Sequence, residues 1–302
     1  MIDLCQRFLF DDADVRGGLV RLERVLEAAC QHHAYPLPVA RLLGEAFAAC
    51  ALMRATIKLS GQLTVQIQAA EQAPVSLLLV HADGDGAMRG TARYRGSPER
   101  GGIDRLCGSD ARLVITIEPD EGRRYQGVVG VDERGLAETL ETYFRDSEQL
   151  PTRIFLSSDG TRAAGMLLQR MPAAERGGHG DAERTVHDAD LWERVGHLAA
   201  TLGERELLEH SAEEVLHRLF HQEAVRLFEP RELYFRCRCS ADRIAAILRG
   251  LERSEIDRLL EESGAVEVRC ELCGAAYLYD PVDVKHALAE GGGAAPGSAR
   301  YH

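Results

Sequence analysis

The sequence predicts an α+β protein in three parts: an N-terminal domain of mixed, largely antiparallel sheet with helices, a helical linker, and a small C-terminal module organised by four cysteines. Three observations predict it. Apolar residues run at helical spacing from Pro38 and switch to alternation beyond Gly61. Helical spacing returns after a Gly-rich interruption at 173–180. Two tight cysteine pairs then follow, whereas the other four cysteines are scattered.

Val39, Leu42, Leu43, Ala46, Phe47, Cys50 and Ala51 mark the first helix, and Pro38 suits its opening turn. Leu63, Val65 and Ile67 alternate against Thr64, Gln66 and Gln68, the pattern of a half-buried strand. Further strands are expected at 75–80, 88–94, 113–117, 125–131, 153–156 and 166–171, with turns such as Asp83–Gly86 between them. A helix from Leu136 to Phe144 lies among these strands, and the N-terminal domain is taken as 1–172. In the linker, 173–230, Leu191, Val195, Leu198, Ala199 and Leu202 mark one apolar face. Val215, Leu216, Leu219 and Phe220 mark a second, opened by a capping box of Ser211 with Glu214. The linker carries 13 acidic and 6 basic residues; with apolar stripes but little bulk, it needs neighbours to stay folded. The last module spans 231–290, and the tail, 291–302, has the composition of a disordered end.

Composition narrows the function. A net charge of -12 argues against nucleic acid as the main partner, because phosphate binding needs clustered positive charge. The longest apolar run, Ala46 to Met53, is far too short to cross a bilayer, so no membrane partner is expected. The opening residues, MIDLCQRFLFDDADV, lack the basic start and apolar core of a secretory signal, which points to the cytoplasm, where thiols stay reduced. Cys5, Cys30, Cys50 and Cys107 are then most simply small buried hydrophobes.

The remaining cysteines read FRCRCS at 235–240 and RCELCG at 269–274: C-x-C, thirty residues, then C-x-x-C. Cys237, Cys239, Cys270 and Cys273 offer the four thiolates that a tetrahedral structural zinc site requires. Gly274 suits a tight knuckle because it tolerates positive φ. Between the pairs, Ser240 can cap a helix bearing Ile244, Ile247, Leu248 and Leu251, and Ser254 a second bearing Ile256, Leu259 and Leu260, stopped by Gly264. Zinc by itself is compatible with an inert ribbon. Three details lean towards a switch: small metal modules draw their folding energy from the ion, flanking Arg236, Arg238 and Arg269 favour thiolates, and both pairs can close short-range disulfides.

Other signals are weak. His217 and His221 stand at i and i+4 without a third ligand nearby in sequence, and read as a polar helix face. No phosphate loop or nucleophile elbow is present. The C-x-x-C at Cys270 lies in a strand–knuckle–strand pattern, not at the helix start that a thioredoxin-like oxidoreductase uses.

The cysteine pairs, with Phe235, Ser240, Gly274 and Tyr277 around them, resemble the signature of the 33-kDa heat-shock protein family of bacterial redox-regulated chaperones. The resemblance continues through MRGTAR at 88–93, RYQGVVG at 124–130, YFRDSEQLPTRIFL at 143–156 and AAGMLLQRMP at 163–172. One departure is the single Gly165, where the family often has a glycine pair in an expected turn. The resemblance implies a stress-activated holdase, not an enzyme. In the reduced state the four cysteines hold one Zn2+ per chain. Oxidants convert them to Cys237–Cys239 and Cys270–Cys273 disulfides, zinc leaves, and the C-terminal module and linker unfold. The chain then forms a homodimer and holds unfolded or oxidatively damaged client proteins without ATP, before handover to an ATP-dependent folding chaperone. On that mechanism the client-binding surface includes Leu191, Val195, Leu198, Leu202, Val215, Leu216, Leu219 and Phe220. A thiol oxidoreductase and a binding protein with an inert zinc ribbon remain the alternatives.

Overall fold

The computed structural model describes residues 2–11, 14–57, 60–98, 101–172 and 190–289. The interruption at 173–180 and the tail at 291–302 lie outside them. The chain divides into two compact units, residues 1–30 with 34–235, and residues 31–33 with 236–302.

The first unit begins with β1 (Leu4–Phe10), β2 (Val15–Leu22), α1 (Arg24–Cys30) and α2 (Leu37–Thr56). It continues through β3 (Gly61–Gln68), β4 (Val75–Asp83), β5 (Ala87–Tyr94), α3 (Ile103–Cys107), β6 (Arg112–Pro119) and β7 (Tyr125–Gly130). Next come α4 (Leu136–Tyr143), which ends in a π-helical turn over Phe144–Glu148, then β8 (Thr152–Ser158) and β9 (Ala163–Arg170). Three linker helices follow, α5 (Leu191–Ala199), α6 (Glu204–Glu209) and α7 (Ala212–Phe220), and then three short strands, β10 (Val225–Leu227), β11 (Arg231–Glu232) and β12 (Tyr234–Phe235).

These elements stack around α2. Its sequence, LPVARLLGEAFAACALMRAT, is apolar nearly all round, which suits a helix covered on every side. It packs against β2, β8 and β9 of one sheet and β3, β4 and β5 of the other. The first sheet runs β10-β1-β2-β9-β8, all antiparallel, with β11 beside β1. The second runs β12-β5-β4-β3-β6-β7, antiparallel except for the β12–β5 pair. The first sheet is apolar on both faces. Val20, Leu22 and Leu167 join the core around α2, whereas Phe8, Phe10, Leu19, Met166 and Leu168 meet the linker helices. β9 therefore reads as a nearly unbroken buried run, as a strand covered on two faces should.

The expected strands from 61 to 170 are all present, but the sheets begin earlier, with β1 and β2. Within VRGGLVRL the Phe8 ring lies over Gly17, its cross-strand partner, where a Cβ would sit 2.1 Å from Cζ. Gly165 lies within β9, not in a turn. A Cβ there would meet Leu52 Cδ1 at 2.8 Å, so the small residue admits the close approach of α2. At the chain start the buried Asp3 carboxylate accepts hydrogen bonds from the amides of Glu23, Arg24 and Val25 at the head of α1.

The second unit contains α8 (Ala241–Leu248), α9 (Arg253–Ser263), β13 (Val266–Arg269), β14 (Ala276–Tyr279) and α10 (Pro281–Ala289). β13 and β14 form an antiparallel pair. Nine buried side chains make its core: Ile244, Ala245, Leu248, Ile256, Val266, Tyr277, Tyr279, Val284 and Ala287. Ser240 caps α8 by accepting from the Arg243 amide at 3.3 Å, and Gly264 ends α9 at φ 73°. Two expectations fail here. Glu252, not Ser254, holds the N-cap position of α9, without a side-chain bond. Ile247 and Leu251 are exposed, because Ile244, Ala245 and Leu248 form the α8 stripe that meets the core. The sequence places the start of this module near Arg231, whereas β11 and β12 pair with β1 and β5 of the first unit.

Candidate metal centre

Cys237 and Cys239 precede α8 in an extended segment. Alternation along it leaves both cysteines half-buried, with Arg236, Arg238 and Ser240 exposed. Cys270 and Cys273 come from the knuckle between β13 and β14. There the Gly274 amide donates to the Cys270 carbonyl at 2.8 Å and the Cys270 amide to the Ala275 carbonyl at 2.9 Å. Gly274 takes φ 68°, a conformation other residues rarely adopt.

The four Sγ atoms all lie within 4.8 Å of one another, and among the described residues they are the group of ligand atoms that converges this closely. Cys237 and Cys270 are 3.7 Å apart and Cys239 and Cys273 3.4 Å. A tetrahedron with Zn–S bonds of about 2.3 Å has edges of about 3.8 Å, so the sulfurs fit an ion of that size and donor preference.

Burial pushes the Cys237 thiol up to about 11. It also raises Cys273, where the neighbouring thiols add to the effect. At Cys239 burial is outweighed by hydrogen bonds from the Tyr277 hydroxyl, 3.1 Å away, and from neighbouring thiols, so its thiol falls below the ordinary value. Four thiols this close cannot all ionise alone, whereas a bound dication supplies the charge that lets them. The flanking arginines are not among the leading causes of these shifts. Arg236 and Arg238 are exposed, and Arg269 is paired with Glu267 at 2.6 Å.

The scattered cysteines differ from these. Burial raises the thiols of Cys5 and Cys107 to about 12, and that of Cys50 still further. Cys30 is only half-buried, so the expectation of four buried hydrophobes holds for three.

Residues 3–280 match the Hsp33 protein family. The chain belongs to it. The 33 kDa chaperonin of Shewanella oneidensis is 44% identical over 290 residues, 96% of each chain. That of Shewanella woodyi is 45% identical over 283 residues, covering 93% of this chain and 94% of the relative. A crystal structure of the 33 kDa chaperonin of Thermotoga maritima shares the fold, with a TM-score of 0.77 over 95% of this chain and 98% of that one at 21% identity. As an Hsp33 protein the chain is a chaperone, a function that implies binding of unfolded clients. No helix among the described residues is long and apolar enough to cross a membrane.

In this Hsp33 chain the eight expected client-binding residues all lie on the linker side of the first sheet. Leu191, Val195, Val215, Leu216 and Phe220 are buried there, and Leu198, Leu202 and Leu219 are partly buried. Phe220 meets Phe10 edge to face, with ring centroids 5.2 Å apart. Polar ties hold the helices down. Arg21 of β2 donates to the carbonyls of Leu208 and His210, and Arg194 makes two hydrogen bonds to Glu223. Ser211 and Glu214 form the reciprocal cap of α7. His217 and His221 lie exposed on the opposite face.

Three contributors are hard to see in sequence. Phe8 and Phe10 supply the aromatic part of the sheet side of this surface, marked only by the alternation in RFLF. Tyr277 is visible only within the family signature, and its contact with Cys239 depends on the register of β14.

Proposed function

We propose that this chain is an ATP-independent holdase switched by oxidation of Cys237, Cys239, Cys270 and Cys273, which hold one zinc ion when reduced. The observation that carries the proposal is the convergence of four sulfurs in a module whose own core is nine side chains. Zinc supplies the charge and cross-linking that close such a module. Each cysteine pair gives up two electrons to a peroxide, which takes two protons from solvent and leaves as two water molecules, while a Cys237–Cys239 or Cys270–Cys273 disulfide forms.

Disulfide sulfurs are poor ligands, so oxidation releases the ion and the module loses the cross-link that holds it. The unfolded module follows directly on β11 and β12, the strands that join the linker to Cys237, and the linker helices loosen from the first sheet. The faces of Leu191, Val195, Leu198 and Leu202 and of Val215, Leu216, Leu219 and Phe220 become available to unfolding or oxidatively damaged clients, with Phe8 and Phe10 opposite them. The surrounding acids keep the opened form soluble. Oxidised chains pair as homodimers, and reduction permits handover to an ATP-dependent folding chaperone in the cytoplasm. The chain binds clients and is not an enzyme.

Light scattering of a denatured client diluted without ATP tests this. Peroxide-oxidised protein should suppress aggregation and the zinc-loaded reduced form should not. Equal behaviour of both forms would make the site an inert ribbon, and catalytic turnover of a disulfide substrate would make the chain an oxidoreductase.

A further inference from the structure

Tyr277 stands on β14, 4% exposed, and its hydroxyl donates to Cys239 Sγ at 3.1 Å. Two residues along the same strand, Tyr279 is equally buried, but its hydroxyl donates to the Ala241 carbonyl at 2.9 Å. The strand thus carries two tyrosines of like burial, one bonded to a sulfur that changes charge on oxidation and one to a carbonyl that does not.

We infer that Tyr277 is a positioning residue that sets how readily the C-x-C pair is oxidised, by favouring the thiolate form of Cys239 over the disulfide. This rests on the redox role proposed above. A thiolate, free or metal-bound, accepts a charge-assisted hydrogen bond, and a neutral disulfide sulfur accepts only weakly. The bond therefore stabilises the reduced site selectively. It also draws electron density from Cys239, which makes that sulfur a weaker nucleophile towards an oxidant. The reaction it tunes is the transfer of two electrons from Cys237 and Cys239 to glutathione disulfide, which takes up two protons, from solvent where the sulfurs are already ionised, and becomes two glutathione molecules as the protein disulfide forms.

The test is a redox titration of the full chain in glutathione buffers, with thiols trapped and mapped by mass spectrometry. It compares the unmodified protein with Tyr277→Phe and Tyr279→Phe. Tyr277→Phe should move the Cys237–Cys239 equilibrium about tenfold towards the disulfide, a midpoint about 30 mV more negative for two electrons. Tyr279→Phe, which costs the folded module a hydrogen bond but touches no sulfur, should move that midpoint clearly less than Tyr277→Phe does. An unchanged midpoint in Tyr277→Phe, or equal shifts in both variants, would overturn the inference. Absence of any transition in the unmodified protein would instead remove the redox reading itself. Should Tyr277→Phe fail to fold, alkylation of the reduced, zinc-loaded unmodified protein decides: Cys239 should react last of the four, and reaction first or in step with the others sinks the idea.

Discussion

The two units hold themselves together by different means. In the first, α2 is buried between two sheets, and large side chains such as Phe47, Leu43, Leu52 and Tyr143 are fully enclosed. In the second, nine side chains form the core, α9 buries only Ile256, and Leu278, Val282 and Ile247 stand 64%, 60% and 57% exposed. A core of that size does not offset the entropy of ordering its chain, which is why small domains recruit metals or disulfides. On the proposed function, the contrast separates a scaffold held by its own core from a sensor whose folding depends on its ligand set. The linker helices belong structurally with the first unit, yet their hold on it is an apolar face plus a few polar ties. That makes them the part of the scaffold easiest to release.

The largest effect that would break this comparison is metal removal. Folding energy on the order of 10 kcal/mol resides in a structural zinc site of this kind. Chelation under reducing conditions should therefore strip hydrogen-exchange protection from the amides of β13 and β14 while α2 keeps its own. A second unit that stays protected without metal would show that its small core suffices, and the contrast would collapse.

A smaller effect sharpens the boundary between scaffold and linker. Phe220→Asp removes an aromatic ring packed on Phe10 and puts a charge in its place, a loss of about 4 kcal/mol. The chain's single tryptophan, Trp192, sits on α5 in the same cluster and reports docking directly. Its emission should shift to the red, and client aggregation should fall without oxidant. A variant whose Trp192 emission stays native and which holds no client would mean that this apolar face is permanent core.

The sequence was most legible where one element's pattern decides its environment. The alternation of Leu63, Val65 and Ile67 is β3, and Ser211 with Glu214 caps α7 as spacing suggests. The C-x-C and C-x-x-C pairs meet because each is a local motif and the elements between them are short. Legibility failed where a second element supplies the reason. Gly17 is a strand residue only because Phe8 covers it, and Gly165 is small because Leu52 of α2 lies against it. Tyr277 reaches Cys239 only once β13 and β14 are paired. The arginines beside the cysteines suggested electrostatic control from neighbours in sequence, whereas the sulfurs respond to burial and to neighbours in space.

The first unit has a sensitivity of its own, to rising pH, which separates it from the second by a different variable. Glu45 projects from α2 and is half-buried, and its carboxyl is held up at about 7, above an ordinary value of 4.5. Burial is the main cause; Glu204 of the linker helix α6 and Glu138 of α4 add to it, and Arg41 opposes it. An acid whose folded value is raised keeps its proton in the fold after the unfolded chain has released it. The resulting stability is fully present below pH 4.5 and is lost as pH rises through about 7. The urea midpoint followed by Trp192 emission should therefore fall between pH 5 and pH 8, by the equivalent of roughly 2 kcal/mol. Glu45→Gln, which cannot ionise, should flatten that slope and leave the redox titration of the cysteines unmoved. A slope that survives the substitution would assign the pH dependence elsewhere. A flattened slope would mean that the scaffold accepts Glu45 at its place on α2 only while the carboxyl is neutral, so alkaline conditions weaken the first unit by a route that the proposed oxidation of the second does not use.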